Sequence, residues 1–125
     1  MKKSLTPLGE TEMEVLHHVW QLKEATVNDV RDRILEKREV AYTTIMTVMK
    51  NLADKGFLRY HKEGKSYVYQ PGRKPESVRS GLVENIVQKV FKGSPTALVQ
   101  TLVQNEELSD EERAEIKKLI NDMQD

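Results

Sequence analysis

Thr43, Thr44, Thr47, Lys50 and Asn51 share one side of a stretch whose other side is apolar. Within Tyr42-Thr43-Thr44-Ile45-Met46-Thr47-Val48-Met49-Lys50-Asn51-Leu52, the residues Ile45, Val48, Met49 and Leu52 follow i, i+3, i+4, i+7 spacing. That spacing makes one buried helical stripe. A face that only solvates a helix is usually rich in Glu and Lys, whereas this one is short, hydroxyl-bearing and basic. Threonine is a mediocre helix former, so three of them in little more than a turn require a reason. Hydroxyls, an amide and an ammonium at this spacing can exchange hydrogen bonds with base edges and neutralise phosphates. No nucleophile–base arrangement and no glycine-rich phosphate loop accompanies them, and an enzyme is not expected.

The elements around this stretch fit that chemistry. Lys55-Gly56 reads as a cationic last turn followed by a C′ glycine. Phe57-Leu58-Arg59-Tyr60-His61 and Ser66-Tyr67-Val68-Tyr69-Gln70 alternate like two strands around the turn Lys62-Glu63-Gly64-Lys65. Upstream, a first helix is expected from about Gly9 to Lys23, with Met13, Leu16, Val19 and Trp20 inward. Thr26-Val27-Asn28-Asp29 resembles a capping box that opens a second helix with Val27, Val30, Ile34 and Leu35 inside. Lys37-Arg38-Glu39 is polar enough to be the turn before the third helix. Three helices and then a basic hairpin have the order of a winged helix-turn-helix DNA reader. In that reading Tyr42, Thr43, Thr44, Met46, Thr47, Lys50, Asn51, Arg59, Lys62 and Lys65 form the DNA-binding surface.

The chain has 125 residues and no net charge, which is unusual for a protein that meets a polyanion. The distribution resolves this. Residues 1–75 carry 14 Lys and Arg against 10 Asp and Glu, a net of +4; residues 76–125 carry 6 against 10, a net of −4. From 41 to 74 there are 7 basic and 2 acidic residues, a net of +5, so the positive field centres on the reading helix and hairpin. No apolar run approaches the ~20 residues of a membrane span. Met1-Lys2-Lys3-Ser4-Leu5-Thr6-Pro7 lacks the apolar core of a signal peptide, so a cytoplasmic location is expected and no membrane partner. The absence of cysteine excludes disulfides, thiolate metal sites and cysteine nucleophiles.

Two prolines and a glycine in Pro71-Gly72-Arg73-Lys74-Pro75 mark the clearest boundary. They imply a winged-helix domain over residues 1–72 and a helical domain over 73–125. Val78, Leu82, Ile86 and Val90, with Val83, Val87 and Phe91 beside them, make a broad apolar face. Ser94-Pro95 caps and opens the next helix, which carries Ala97, Leu98, Val99, Leu102 and Val103. Leu108-Ser109-Asp110-Glu111-Glu112 caps a last one, with Ile116, Leu119, Ile120 and Met123 inward. About 50 residues are too few to enclose this much apolar surface. These helices either fold back on the winged helix or pair with a second chain. Pairing is favoured, because a symmetric dimer contacts two half-sites at once. Leu82, Ile86, Val90, Phe91, Leu98, Leu102, Ile116 and Leu119 are the expected dimerisation residues, giving a mainly α fold with one small β-hairpin.

Other polar groups point to no cofactor. His17 and His18 are adjacent and project about 100° apart on a helix, so they cannot chelate as an i, i+4 pair can. His61 is far from both in sequence, and no metal site is expected. Glu106, Glu107, Asp110, Glu111, Glu112 and Glu115 gather mostly at a helix start, where carboxylates complement the dipole.

The whole chain resembles the penicillinase-repressor (BlaI/MecI) family of bacterial transcriptional repressors. The matching segments are Glu12-Met13-Glu14-Val15-Leu16 with Val19-Trp20, Thr44-Ile45-Met46-Thr47, Lys55-Gly56-Phe57-Leu58, and His61-Lys62-Glu63-Gly64 with Val68-Tyr69 and Pro71. Leu98-Val99, Leu102-Val103 and Glu107-Leu108-Ser109 with Glu112 extend the match into the tail. The resemblance implies an N-terminal winged helix, a C-terminal helical dimerisation domain, and repression of a promoter bearing a palindromic operator. It also implies an inducing protease as a partner. In β-lactam-responsive members an Asn-Phe bond is cut on induction, and the aligned bond here is Thr101-Leu102. At Met46 similar repressors carry a longer polar side chain such as Gln or Arg, and this chain lacks the C-terminal Cys-x-Cys of copper-responsive relatives. A different reading makes the threonine face the docking surface of a protein-interaction module; the local net charge of +5 favours DNA.

Overall fold

In the computed structural model, residues 8–123 are described, and the N-terminal run read for a signal peptide lies outside them. In chain order the elements are α1 (Glu10–Leu22), α2 (Val27–Leu35), α3 (Tyr42–Asp54), β1 (Leu58–Glu63), β2 (Ser66–Pro71), α4 (Pro75–Lys89), α5 (Pro95–Gln104) and α6 (Asp110–Asp122). Three helices, a hairpin and three more helices match the mainly α expectation. The chain divides into two units between Leu82 and Val83.

Local chemistry opens α2, α5 and α6 and ends α3. The Thr26 hydroxyl accepts from the Asp29 N–H at 3.1 Å while the Asp29 carboxylate accepts from the Thr26 N–H at 3.0 Å, so α2 opens on a reciprocal box. Ser109 and Glu112 repeat that exchange before α6. Ser94 accepts from the Ala97 N–H at 3.1 Å, with Pro95 at the first position of α5. α3 ends in a Schellman motif. The N–H of Phe57 reaches the Leu52 carbonyl at 2.9 Å, the N–H of Gly56 reaches that of Ala53 at 3.0 Å, and Gly56 takes φ +89°.

The first unit has one apolar core. Val15, Leu16 and Val19 from α1, Val30 and Ile34 from α2, and Ile45, Met49 and Leu52 from α3 are buried together with Phe57, Leu58 and Tyr69. The period-based inner face of α1 missed Val15, which is fully buried, and included Met13 and Trp20, which are only half-buried. Leu35, expected on the inner face of α2, is exposed: it is the last residue of that helix, beyond the reach of the core. The first two turns of α4 contribute buried Val78, with Leu82 packed half-buried beside it.

The hairpin pairs Leu58 with Pro71 through Glu63 with Ser66, leaving Gly64-Lys65 as a two-residue connection. The strands therefore run further than the sequence suggests, and the turn is tighter. Gly64 has φ +62°, which glycine adopts without steric cost. Ala25 pairs with Tyr69 through two backbone hydrogen bonds, N–H to O at 2.9 and 2.8 Å, and anchors β2 to the segment joining α1 and α2.

In the second unit, the Arg113 guanidinium joins α6 to the end of α5 by donating to the carbonyls of Val103 at 3.0 Å and Asn105 at 3.2 Å. Neither α5 nor α6 has a buried residue.

Candidate nucleic-acid interface

The buried stripe of α3 holds the helix so that its opposite side faces solvent. Ile45, Met49 and Leu52 are fully buried, and Val48 is half-buried. At about 100° per residue, Thr43, Thr47 and Lys50 occupy the middle of the outward face. Thr44 and Asn51 lie along one edge, Tyr42 and Met46 along the other. All seven are exposed. The row anticipated from sequence is thus one continuous accessible surface, ordered as hydroxyl, hydroxyl and ammonium down its centre.

The hairpin that follows α3 adds exposed cations. Arg59, Lys62 and Lys65 are exposed on the hairpin, Lys65 at its tip. The paired strands put Tyr60, Lys62, Tyr67 and Tyr69 on one side of the hairpin and Arg59, His61 and Glu63 on the other. Among the described residues, Lys50, Arg59, Lys62 and Lys65 have no carboxylate partner in an ion pair. The Lys62 ammonium lies 5.9 Å from the centre of the Tyr67 ring. Two further cations near the end of α3, Lys55 and Arg73, are engaged in structure. Lys55 pairs with Glu12 at 2.9 Å, and Arg73 stacks 4.6 Å from the Phe57 ring while donating to the Lys55 carbonyl.

The tyrosines make a small aromatic group, with Tyr60 5.2 Å from Tyr67 and 5.4 Å from Tyr69, centroid to centroid. Burial raises the Tyr69 hydroxyl above its ordinary value, and the neighbouring Tyr60 and Tyr42 add to the rise. Tyr69 is therefore a neutral, structural phenol at physiological pH.

The histidines take ordinary roles. His17 packs edge-on to Trp20 at 5.3 Å. His18 Nδ1 accepts from Arg33 Nε at 3.2 Å, and burial, followed by the Arg33 charge, lowers its pKa below the usual histidine value. Sequence separation concealed one convergence: Glu24, at the start of the segment bonded to β2, comes within 4.8 Å of His61 and Glu63. All three are exposed, and His61 Nε2 is 2.8 Å from Glu63 Oε2.

The expected dimerisation residues lie on α4, α5 and α6 and in the α4–α5 connection. Leu82, Phe91, Leu98 and Ile116 are half-buried within the chain; Ile86, Val90, Leu102 and Leu119 are exposed, Val90 at 66% and Leu119 at 65%. Val83, Val99, Ile120 and Met123 are exposed as well. Thr101 and Leu102 lie inside α5, where the Thr101 hydroxyl donates to the Ala97 carbonyl at 3.0 Å.

No helix among the described residues is long and apolar enough to cross a membrane. Residues 8–122 match the penicillinase repressor family model. The methicillin resistance regulatory protein MecI of Mammaliicoccus sciuri is 29% identical over 114 residues, covering 91% of this chain and 93% of that protein. The transcriptional regulator BlaI of Mycobacterium tuberculosis is 32% identical, over 80% of this chain and 74% of that protein. The solution structure of the DNA-binding domain of the repressor BlaI superposes with a TM-score of 0.51 at 28% identity, over 59% of this chain and 90% of that domain. With the fold, the exposed threonine face and a match spanning nearly its whole length in agreement, the chain belongs to the penicillinase repressor family.

Proposed function

We propose that this protein is a transcriptional repressor that binds a palindromic promoter operator as a homodimer. The observation that carries this reading is the outward face of α3. Hydroxyls at Thr43, Thr44 and Thr47 and the Asn51 amide are exposed beside a Lys50 ammonium that has no carboxylate partner among the described residues. In the major groove this face presents donors and acceptors to base edges. Lys50, Arg59, Lys62 and Lys65 neutralise phosphates on either side and set the register.

The apolar side chains left exposed on α4 to α6 support pairing with a second copy, which would bury Ile86, Val90, Leu102 and Leu119. Two-fold symmetry then presents two reading helices to half-sites about one helical turn, ~10 base pairs, or a multiple apart. Release from DNA follows from anything that weakens the dimer, an inducing protease included, because each winged helix alone forms few contacts. No observation favours a protein-docking role for the threonine face.

A mobility shift on DNA taken from upstream of the protein's own gene tests the reading. A discrete complex that survives excess unrelated DNA is expected. Equal competition by unrelated DNA would overturn it.

A further inference from the structure

Tyr42 and Met46 are one helical turn apart on the same edge of α3, and each leaves 41% of its surface exposed. Every other large apolar residue of that helix is buried or half-buried in the core. The helix thus has two outward apolar side chains directly beside its row of threonines. We propose that Tyr42 and Met46 read thymine through its 5-methyl group, giving the protein an operator preference set by apolar contact. The proposal rests on the DNA-binding reading and names what this edge of the same surface recognises.

The chemistry of the groove narrows the choice. Base edges in the major groove present acceptors, amino donors and a single apolar feature, the thymine methyl. The Met46 thioether, or the carbon face of the Tyr42 ring, pressed against the acceptors of guanine would strip them of water and return no hydrogen bond, which is unfavourable. The Tyr42 hydroxyl, which can donate, is the one group of the pair able to bond a base instead. Against a thymine methyl the same side chains lose nothing and remove apolar surface from water. Their position matches this role. Both lie in the first half of α3, the part of a reading helix that meets base edges; Tyr42 adjoins Thr43, and Met46 is within a turn of both Thr43 and Thr47. Met46 has no donor that could reach a base, so it can discriminate only by shape and apolarity.

The test uses the full chain and its upstream DNA. Each thymine of the bound site is replaced in turn by deoxyuridine, which removes the methyl and keeps every hydrogen-bonding group. The wild-type protein should lose about fourfold in affinity at one or two positions per half-site, the factor for one buried methyl. Met46→Ala or Tyr42→Ala should bind the thymine site more weakly, and the deoxyuridine penalty at the matching position should vanish. Each side chain is partly covered by its own chain, so a modest fall in the urea midpoint is expected, and a retained cooperative transition confirms that folding is intact. Deoxyuridine tolerated at every position by the wild type would overturn the proposal. So would a penalty that persists undiminished in both variants. If the wild-type chain showed no preference for its upstream DNA, the DNA-binding reading itself would fail and this inference with it.

Discussion

Lys55 Nζ lies 2.9 Å from Glu12 Oε2, so the cation at the end of α3 is held by α1 rather than offered to a ligand. Lys50, one turn earlier, has no such carboxylate among the described residues. Lys50 within α3 and Lys55 at its C-cap therefore have different work. Lys55→Ala should lower stability by no more than ~1 kcal/mol, as for a partly exposed ion pair, and should leave the salt dependence of DNA binding almost unchanged. Urea denaturation and a salt-dependent binding titration on the same variant separate the two effects.

The exposed apolar residues of the second unit predict a dimer that charge can dissociate. Val90→Glu and Leu119→Glu remove no contact that a single chain makes within its core, since both side chains are largely exposed. Sedimentation should show a dimer for the wild type and a monomer of unchanged helicity for the double variant, with weaker operator binding. A wild-type chain that sediments as a compact monomer at high concentration would contradict the pairing.

His18 predicts a small loss of stability in acid. Its folded-state pKa lies below the ordinary 6.5, because burial and the Arg33 guanidinium disfavour the charged form. The unfolded chain therefore takes up the proton first as pH falls below 6.5, and the contribution to stability is lost between that value and the lowered folded-state one. Urea midpoints measured at pH 7.5 and 5.5 should differ less in His18→Gln than in the wild type. An equal difference in both would remove His18 from the account.

Induction by cleavage at Thr101-Leu102 should be inefficient. The bond lies within α5, and a protease binds an extended substrate, so cutting requires local unfolding. Thr101 is also β-branched and lacks the amide of the Asn found at this position in β-lactam-responsive relatives. Incubation with a protease that cuts the Asn-Phe bond of such relatives, followed by mass spectrometry, should leave most of the chain intact. Rapid cutting at Thr101-Leu102 would contradict this.

Where the fold depends on neighbours in sequence, it was legible there. Thr26 with Asp29, Ser94 with Pro95, and Ser109 with Glu112 act across three residues or fewer, and each opens the helix expected of it. Gly56 ends α3 for an equally local reason, its positive φ. Tertiary contacts were not legible. The bonding of Ala25 to Tyr69, which brings Glu24 to His61, joins residues more than forty positions apart and has no composition signal. The burial of Val78 is similar: Pro75 marks the start of a helix, and only packing shows that its first turns join the core of the first unit. The threonine face was readable because exposed hydroxyls on a helix run against propensity. The pairing of Lys55 with Glu12 was not, since a lysine's partner depends on which helix lies beside it.

The most direct measurement is a titration of upstream DNA over a range of salt concentrations, with the wild type and with Lys50→Ala, Lys65→Ala. If α3 and the hairpin tip contact phosphates, the double variant binds all sequences more weakly. The slope of log affinity against log salt then falls by about 2 per protomer. An unchanged affinity and an unchanged slope would contradict the placement of this surface on DNA.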